Sequence, residues 1–146
     1  MIHPAHTPEM IEGLCQYLGG LNLGLVYNPA GYAATEPGVI IVKGALPAGR
    51  RALSVRFYLE EPPEPNVDMT YISIQLRTRF GTDPLEGMAL HGRIHAVLNE
   101  KAGLSLGKTR ASLIMGGGLA YLGMDENGLH DYTRNFRIRS SGRVTE

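Results

Sequence analysis

His91 and His95 stand one helical turn apart, a spacing that lets two imidazoles share a metal ion on one helix face. On that reading the chain would be a small metal-dependent enzyme. No third ligand lies near in sequence. His130 would have to arrive by a tertiary contact, and Gly92, Arg93 and Ile94 supply no glutamate of the helical zinc-peptidase pattern. Hydrogen-bonded or solvent-facing histidines are therefore the preferred reading.

Other catalytic patterns fail on spacing. Gly107-Lys108-Thr109 is similar to the end of a phosphate-binding loop, but the glycine required five residues before Gly107 is replaced by Ala102. No Gly-x-Ser-x-Gly nucleophile elbow occurs. The single cysteine, Cys15, falls on the apolar stripe of a predicted helix, which implies a buried, reduced and inert thiol. Glu60 and Glu61 are paired carboxylates, yet they sit in the exposed proline-rich segment EEPPEPNVD, where nothing evident would raise a pKa. That segment is expected to be a stiff exposed connection, because prolines cannot donate to a central strand; a proline-rich peptide ligand is the lesser alternative. These tests favour a chain that is not an enzyme and uses no cofactor and no metal.

Charge sets further bounds. Lysine plus arginine equals aspartate plus glutamate at 14 each, so no global field draws the protein to nucleic acid or to an anionic membrane. Arg134, Arg137, Arg139 and Arg143 concentrate positive charge near the C-terminus without interleaved aromatic platforms. A solvated strand face, or salt bridges to another subunit, is the preferred reading over phosphate binding. MIHPAHTPEM lacks the basic and apolar regions of a secretion signal, and runs such as Val39 to Val42 are too short to span a bilayer. A soluble protein of a reducing cytoplasm is expected.

The 146 residues, 43% hydrophobic and 19% charged, suit one folded domain with one core. Thr7, Pro8 and Glu9 read as a helix start, and Met10, Ile11, Leu14, Cys15 and Leu18 recur at helical spacing up to Gly19-Gly20. Strands are expected over Leu23 to Tyr27 and Val39 to Lys43. Two more follow, with Leu53, Val55, Phe57 and Leu59 on one face of the first and Ile72, Ile74, Leu76 and Phe80 on one face of the second, opposite Arg77 and Arg79.

Asp83, Pro84 and Glu86 have capping-box spacing and open a helix that is expected to run to about Lys101. Its apolar residues form two stripes: Leu85, Met88, Ala89 and Ala96, and Leu90, Ile94, Val97 and Leu98. Either the chain covers both, or one packs on a neighbouring subunit. A strand over Thr109 to Met115, a break at Gly116 to Gly118, a short strand near Ala120 to Leu122, a turn over Gly123 to Gly128 and a last strand over Leu129 to Arg139 complete the pattern, with Tyr132, Phe136 and Ile138 on one face and a frayed tail from Ser140. The fold class is α+β, with a mixed, mainly antiparallel sheet and two packed helices.

TYISIQLRTRFGTDP and GMDENGLHDYTRNFRIR resemble the minor capsid and tail-terminator proteins of long-tailed bacteriophages. The resemblance is carried by Gln75, Arg77, Arg79, Gly81, Asp83 and Pro84, then by Gly123, Asp125, Gly128, Asn135 and Phe136, and is best between about Ala52 and Arg139. Leu129 and Phe136 stand where that family more often has arginine and tyrosine. By chemistry alone, Asp125, Asn127 and Gly128 suit a tight turn that fixes strand register. The resemblance implies a virion protein that assembles as a ring, usually a hexamer, at the head-proximal end of the tail. It would end polymerisation of the tail tube protein and join the head-completion or stopper protein, while DNA passes through without being read in sequence. Another head-to-tail connector or minor capsid protein is the alternative. On this reading Leu90, Ile94 and Val97 make the subunit contact, and Arg77 and Arg79 pair acids across the interface.

Overall fold

A computed structural model describes residues 6–30, 38–42, 46, 50–61, 70–107 and 109–140. Two helices and seven strands alternate as α1 (His6–Gly19), β1 (Val26–Tyr27), β2 (Gly38–Ile41), β3 (Arg51–Glu61), β4 (Thr70–Arg79), α2 (Pro84–Leu98), β5 (Leu104–Leu106), β6 (Thr109–Met124) and β7 (His130–Ser140). The strands form one sheet in the order β1-β2-β3-β4-β7-β6-β5. β2 pairs in parallel with both β1 and β3, and the β3–β4, β4–β7, β7–β6 and β6–β5 pairs are antiparallel. The fold is α+β, with a mixed, mainly antiparallel sheet carrying two helices.

Both helices lie on one face of the sheet. Period-two alternation sends Ile72, Ile74 and Leu76 of β4 and Phe136 and Ile138 of β7 into this layer, where they meet Met10, Leu14 and Leu18 of α1 and Leu90, Ile94 and Leu98 of α2, all buried. α1 touches both β1 and β5, at opposite margins, so the sheet curls around it. Gly13 makes that approach possible, since a Cβ there would sit 2.3 Å from the Leu106 carbonyl carbon. Among the described residues no helix is long and apolar enough to cross a membrane.

Several boundaries differ from expectation. The three glycines at 116 to 118 do not break the chain into two strands; β6 runs through them to Met124, with register shifts against β7 between Gly116 and Leu119 and between Tyr121 and Gly123. The helix expected to reach Lys101 ends at Leu98, because Asn99 is extended, Glu100 has a φ of 60° and Lys101 pairs with Ile114. The short strand β5 follows, without a sequence signal beyond Leu104 and Leu106. In β3 the alternation holds for buried Leu53 and Val55 but fails beyond them: a register shift between Phe57 and Leu59 turns Leu59 opposite Ser73, and Phe57, Tyr58 and Leu59 are all exposed. The early strand expected from Leu23 shrinks to Val26–Tyr27. The proline segment beyond Glu61 and the tail after Ser140 lie outside the described residues, as does Arg143.

Candidate functional site

On β4 and β7 the sheet face turned away from the helices is polar and rich in arginine, while a small apolar cluster of Val39, Leu46 and Ala52 covers it at β2 and the start of β3. Pairing places Tyr71 beside Arg139, Ser73 beside Arg137, Gln75 beside Asn135, Arg77 beside Thr133 and Arg79 beside Asp131. The two sequence segments that carry the resemblance are therefore the adjacent central strands β4 and β7, together with the turn that precedes β7.

Asp131 gathers the charges at one end of this face. Its carboxylate accepts from Arg79 Nε at 2.9 Å, Arg79 Nη2 at 3.0 Å and Arg77 Nη2 at 3.0 Å. Burial by itself pushes the Asp131 carboxyl up, but the hydrogen bonds and charges of Arg79 and Arg77 outweigh it and hold the pKa below the ordinary carboxylate range. The same contacts, led by the hydrogen bond to Asp131, raise the pKa of Arg79. Arg79 also lies 3.4 Å from Asp125 Oδ2 and donates to the Leu46 carbonyl. One guanidinium thus ties β4 to β7, to the β6–β7 turn and to the segment between β2 and β3.

The turn is built as its residues require. Asp125 Oδ1 accepts from the backbone N–H of Asn127 at 2.9 Å and of Leu129 at 2.7 Å, while Gly128 N–H donates to the Asp125 carbonyl. Gly128 has a φ of 78° and Gly123 one of 113°, conformations that side chains with a Cβ rarely adopt. Asn135 accepts from Gln75 Nε2 across the strand pair at 3.3 Å. Further along, Arg137 donates to Glu61 at 2.9 Å and stacks over Tyr71, its guanidinium carbon 3.9 Å from the ring centroid. Arg139 Nε donates to Ser112 Oγ at 3.0 Å.

Several expected contacts are corrected by this geometry. Leu90 and Ile94 are wholly buried inside the chain, against the sheet, so they are not a subunit contact; Val97 is half-buried at the margin of the same stripe. The uncovered stripe is the other one, where Leu85 and Met88 are exposed along with Ala89 and Ala96. Arg77 and Arg79 pair with Asp131 and Asp125 of their own chain. The capping box is half-formed: Asp83 Oδ1 accepts from Leu85 N–H at 2.9 Å, whereas Glu86 turns to Arg51 at 2.7 Å.

His91 and His95 are also held by other contacts. His91 is buried, with Nε2 2.8 Å from the Thr78 hydroxyl and the ring edge-on to Tyr132. Burial, helped by the Arg134 charge and opposed by the Tyr132 backbone, lowers its pKa to about 4. His95 lies beside Phe136 and Gly116. Among the described residues no three histidines, cysteines or acids come together as a metal site. Cys15 is buried and its thiol is pushed up to about 12, first by burial and then by Glu12, so it is not a nucleophile at neutral pH. A groove beside α1, lined by Pro8, Glu9, Glu12, Gly13, Gln16 and Gly107, has Glu9 and Glu12 as its ionisable residues. Glu12 accepts from the Tyr27 hydroxyl.

Sequence reasoning missed Asp131 and Thr78. Each is an ordinary strand residue until the register is known, and only the β4–β7 pairing and the packing of α2 reveal their partners. No family model matches the chain, and no curated protein matches it either.

Proposed function

We propose that the protein is a structural ring subunit of a long-tailed bacteriophage, acting as the tail terminator at the head-proximal end of the tail. The supporting observation is that the two separated segments of the resemblance meet as one bonded unit: Gln75 with Asn135, Arg77 and Arg79 with Asp131, and Arg79 with Asp125. These residues build a bonded polar wall across β4 and β7. The guanidinium groups of Arg77, Arg79 and Arg137 are held by acids, and Arg137 also stacks on Tyr71, so the positive charge of these three is offset within the chain.

Such a wall suits the inside of a ring through which DNA passes. Fully unpaired arginines would bind phosphate and retard the duplex, whereas neutralised ones give a polar surface without strong affinity. The helix-covered side then faces outward. In this role the ring binds the last tail tube subunits on one end and the head-completion or stopper protein on the other.

Gold-labelled antibody against the protein, applied to the phage particle that carries it, tests the assignment. Label at the junction of tail and head is the expected result. Absence from the particle would overturn the reading, and label on the capsid shell alone would replace it with a minor capsid role.

A further inference from the structure

The margins of the sheet are stepped. β2 covers β3 only from Arg51 to Ser54, so among the described residues no strand pairs with the outer edge of β3 from Val55 to Glu61. On the opposite margin, β5 covers β6 from Thr109 to Ala111, Lys101 bridges Ile114, and the Asn99 side chain takes the Gly116 N–H. From Gly117 to Met124 the outer edge of β6 has no partner strand among the described residues.

These two open runs lie at opposite ends of the sheet. Ala52, Arg79, Asp131 and Gly123 share one end, and Glu61, Tyr71, Arg139 and Leu113 the other. The free part of β3 is thus at the second end and the free part of β6 at the first. A copy placed beside another in the same orientation, and displaced by about half a strand, brings the β3 run of one against the β6 run of the next. Because β3 and β6 run in opposite directions, the pair is antiparallel, and the steps formed by β2 and β5 clear each other.

Composition supports the same pairing. Of the eleven large apolar side chains left exposed among the described residues, six stand on these runs, Phe57, Tyr58 and Leu59 on one and Tyr121, Leu122 and Met124 on the other. That concentration marks a contact surface rather than scattered exposure. The β6 run, GGLAYLGM, has no charge and no proline, two of the features that protect a permanently solvent-exposed edge. Gly117 and Gly118 are exposed, and a Cβ at Gly118 would meet nothing within 4 Å, which leaves room for another backbone.

We infer that the occupant of each edge is a second copy of this chain, with β3 from Val55 to Glu61 adding to β6 from Gly117 to Met124 of the neighbour, so that the sheets join into one continuous wall. The contact is head-to-tail and leaves one edge of each kind free, so it propagates until it closes. Closure rests on the ring reading above: a constant stagger between copies is taken up by strand tilt in a closed cylinder.

Paired cysteines test it. Leu59→Cys is combined in turn with a cysteine replacing Leu119, Ala120, Tyr121 or Leu122, each double variant is oxidised, and size is read on non-reducing gels beside light scattering of the unoxidised protein. Within one chain β4 and β7 separate the two positions by three strand spacings, roughly 14 Å and beyond disulfide reach, so every cross-link joins two copies. The expected result is a ladder of multimers that is strong at alternate partner positions and absent from the single variants. Assembled protein without cross-links at any partner position would overturn this interface and leave the ring intact. A monomer at every concentration would overturn both.

Discussion

Replacing Asp131 by asparagine keeps the shape of the side chain and removes its charge from beneath two guanidinium groups. Hydrogen bonds to charged groups contribute roughly 1.5–3 kcal/mol each, and breaking a fully buried ion pair costs about 3–5 kcal/mol. Asp131 is 7% exposed and Arg79 17%, but Arg77 at 35% regains water when the pair is lost, and Arg79 keeps Asp125. The net loss expected for Asp131→Asn is therefore about 2 kcal/mol, near the low end of those ranges. Urea unfolding followed by circular dichroism measures it. With a slope of about 2 kcal/mol per molar, the midpoint falls by roughly 1 M while the slope stays unchanged. The sign with pH follows from the lowered pKa in the folded protein. The stabilisation is fully present above the ordinary carboxylate value of 3.8 and is lost as pH falls through the lower folded value, so the variant and the parent converge only in that acid range. Equal midpoints at pH 7, or a gap that persists unchanged below the folded pKa, would refute the reasoning.

Other perturbations have distinct readouts. His91, with its pKa lowered from 6.5 to about 4, makes stability fall as pH drops from about 6.5 to about 4; His91→Gln removes that slope in urea titrations, and proton NMR should find the ring neutral at pH 5.5. Ile94→Asp places a carboxylate in the core and should give no folded chain, whereas Met88→Asp on the exposed stripe should leave the thermal midpoint within a few degrees. Gly13→Ala drives a methyl group into the Leu106 backbone and should cost about 1–3 kcal/mol in the same unfolding assay. Tyr132→Phe removes the 2.8 Å hydrogen bond to the Pro84 carbonyl that fastens the start of α2 to β7, for a loss of about 1 kcal/mol.

Much of the fold is legible in the sequence because it follows from short-range periodicity. Leu53 and Val55, Ile72 to Leu76, and Tyr132 to Ile138 announce half-buried strands, and Asp83 caps the start of α2 as its type suggests, whereas α1 begins at His6, so that Thr7 lies within it and its hydroxyl donates to Glu60. What fails is what depends on partners. Leu90 and Ile94 and the Leu85–Met88 stripe are equally apolar, so no pattern tells which one meets the sheet; the position of His91 against Thr78 and Tyr132 decides it. Gly116 to Gly118 read as a break, yet β6 continues through them: Gly116 pairs with Phe136 and Leu119 with Arg134, a register shift takes up Gly117 and Gly118, and a Cβ at Gly116 would collide with His95 and Phe136. At the candidate site, Arg77, Arg79, Asp125, Gly128 and Asn135 are recognisable by type, while Asp131, the acid that joins them, gains meaning only from the register that sets it opposite Arg79.

Sedimentation velocity of the purified protein across a wide concentration range tests the central claim most directly. The account predicts a closed assembly of one discrete size, whose rings, in negative-stain images, have an open centre. A single monomer boundary at every concentration, or filaments of unlimited length, would contradict it.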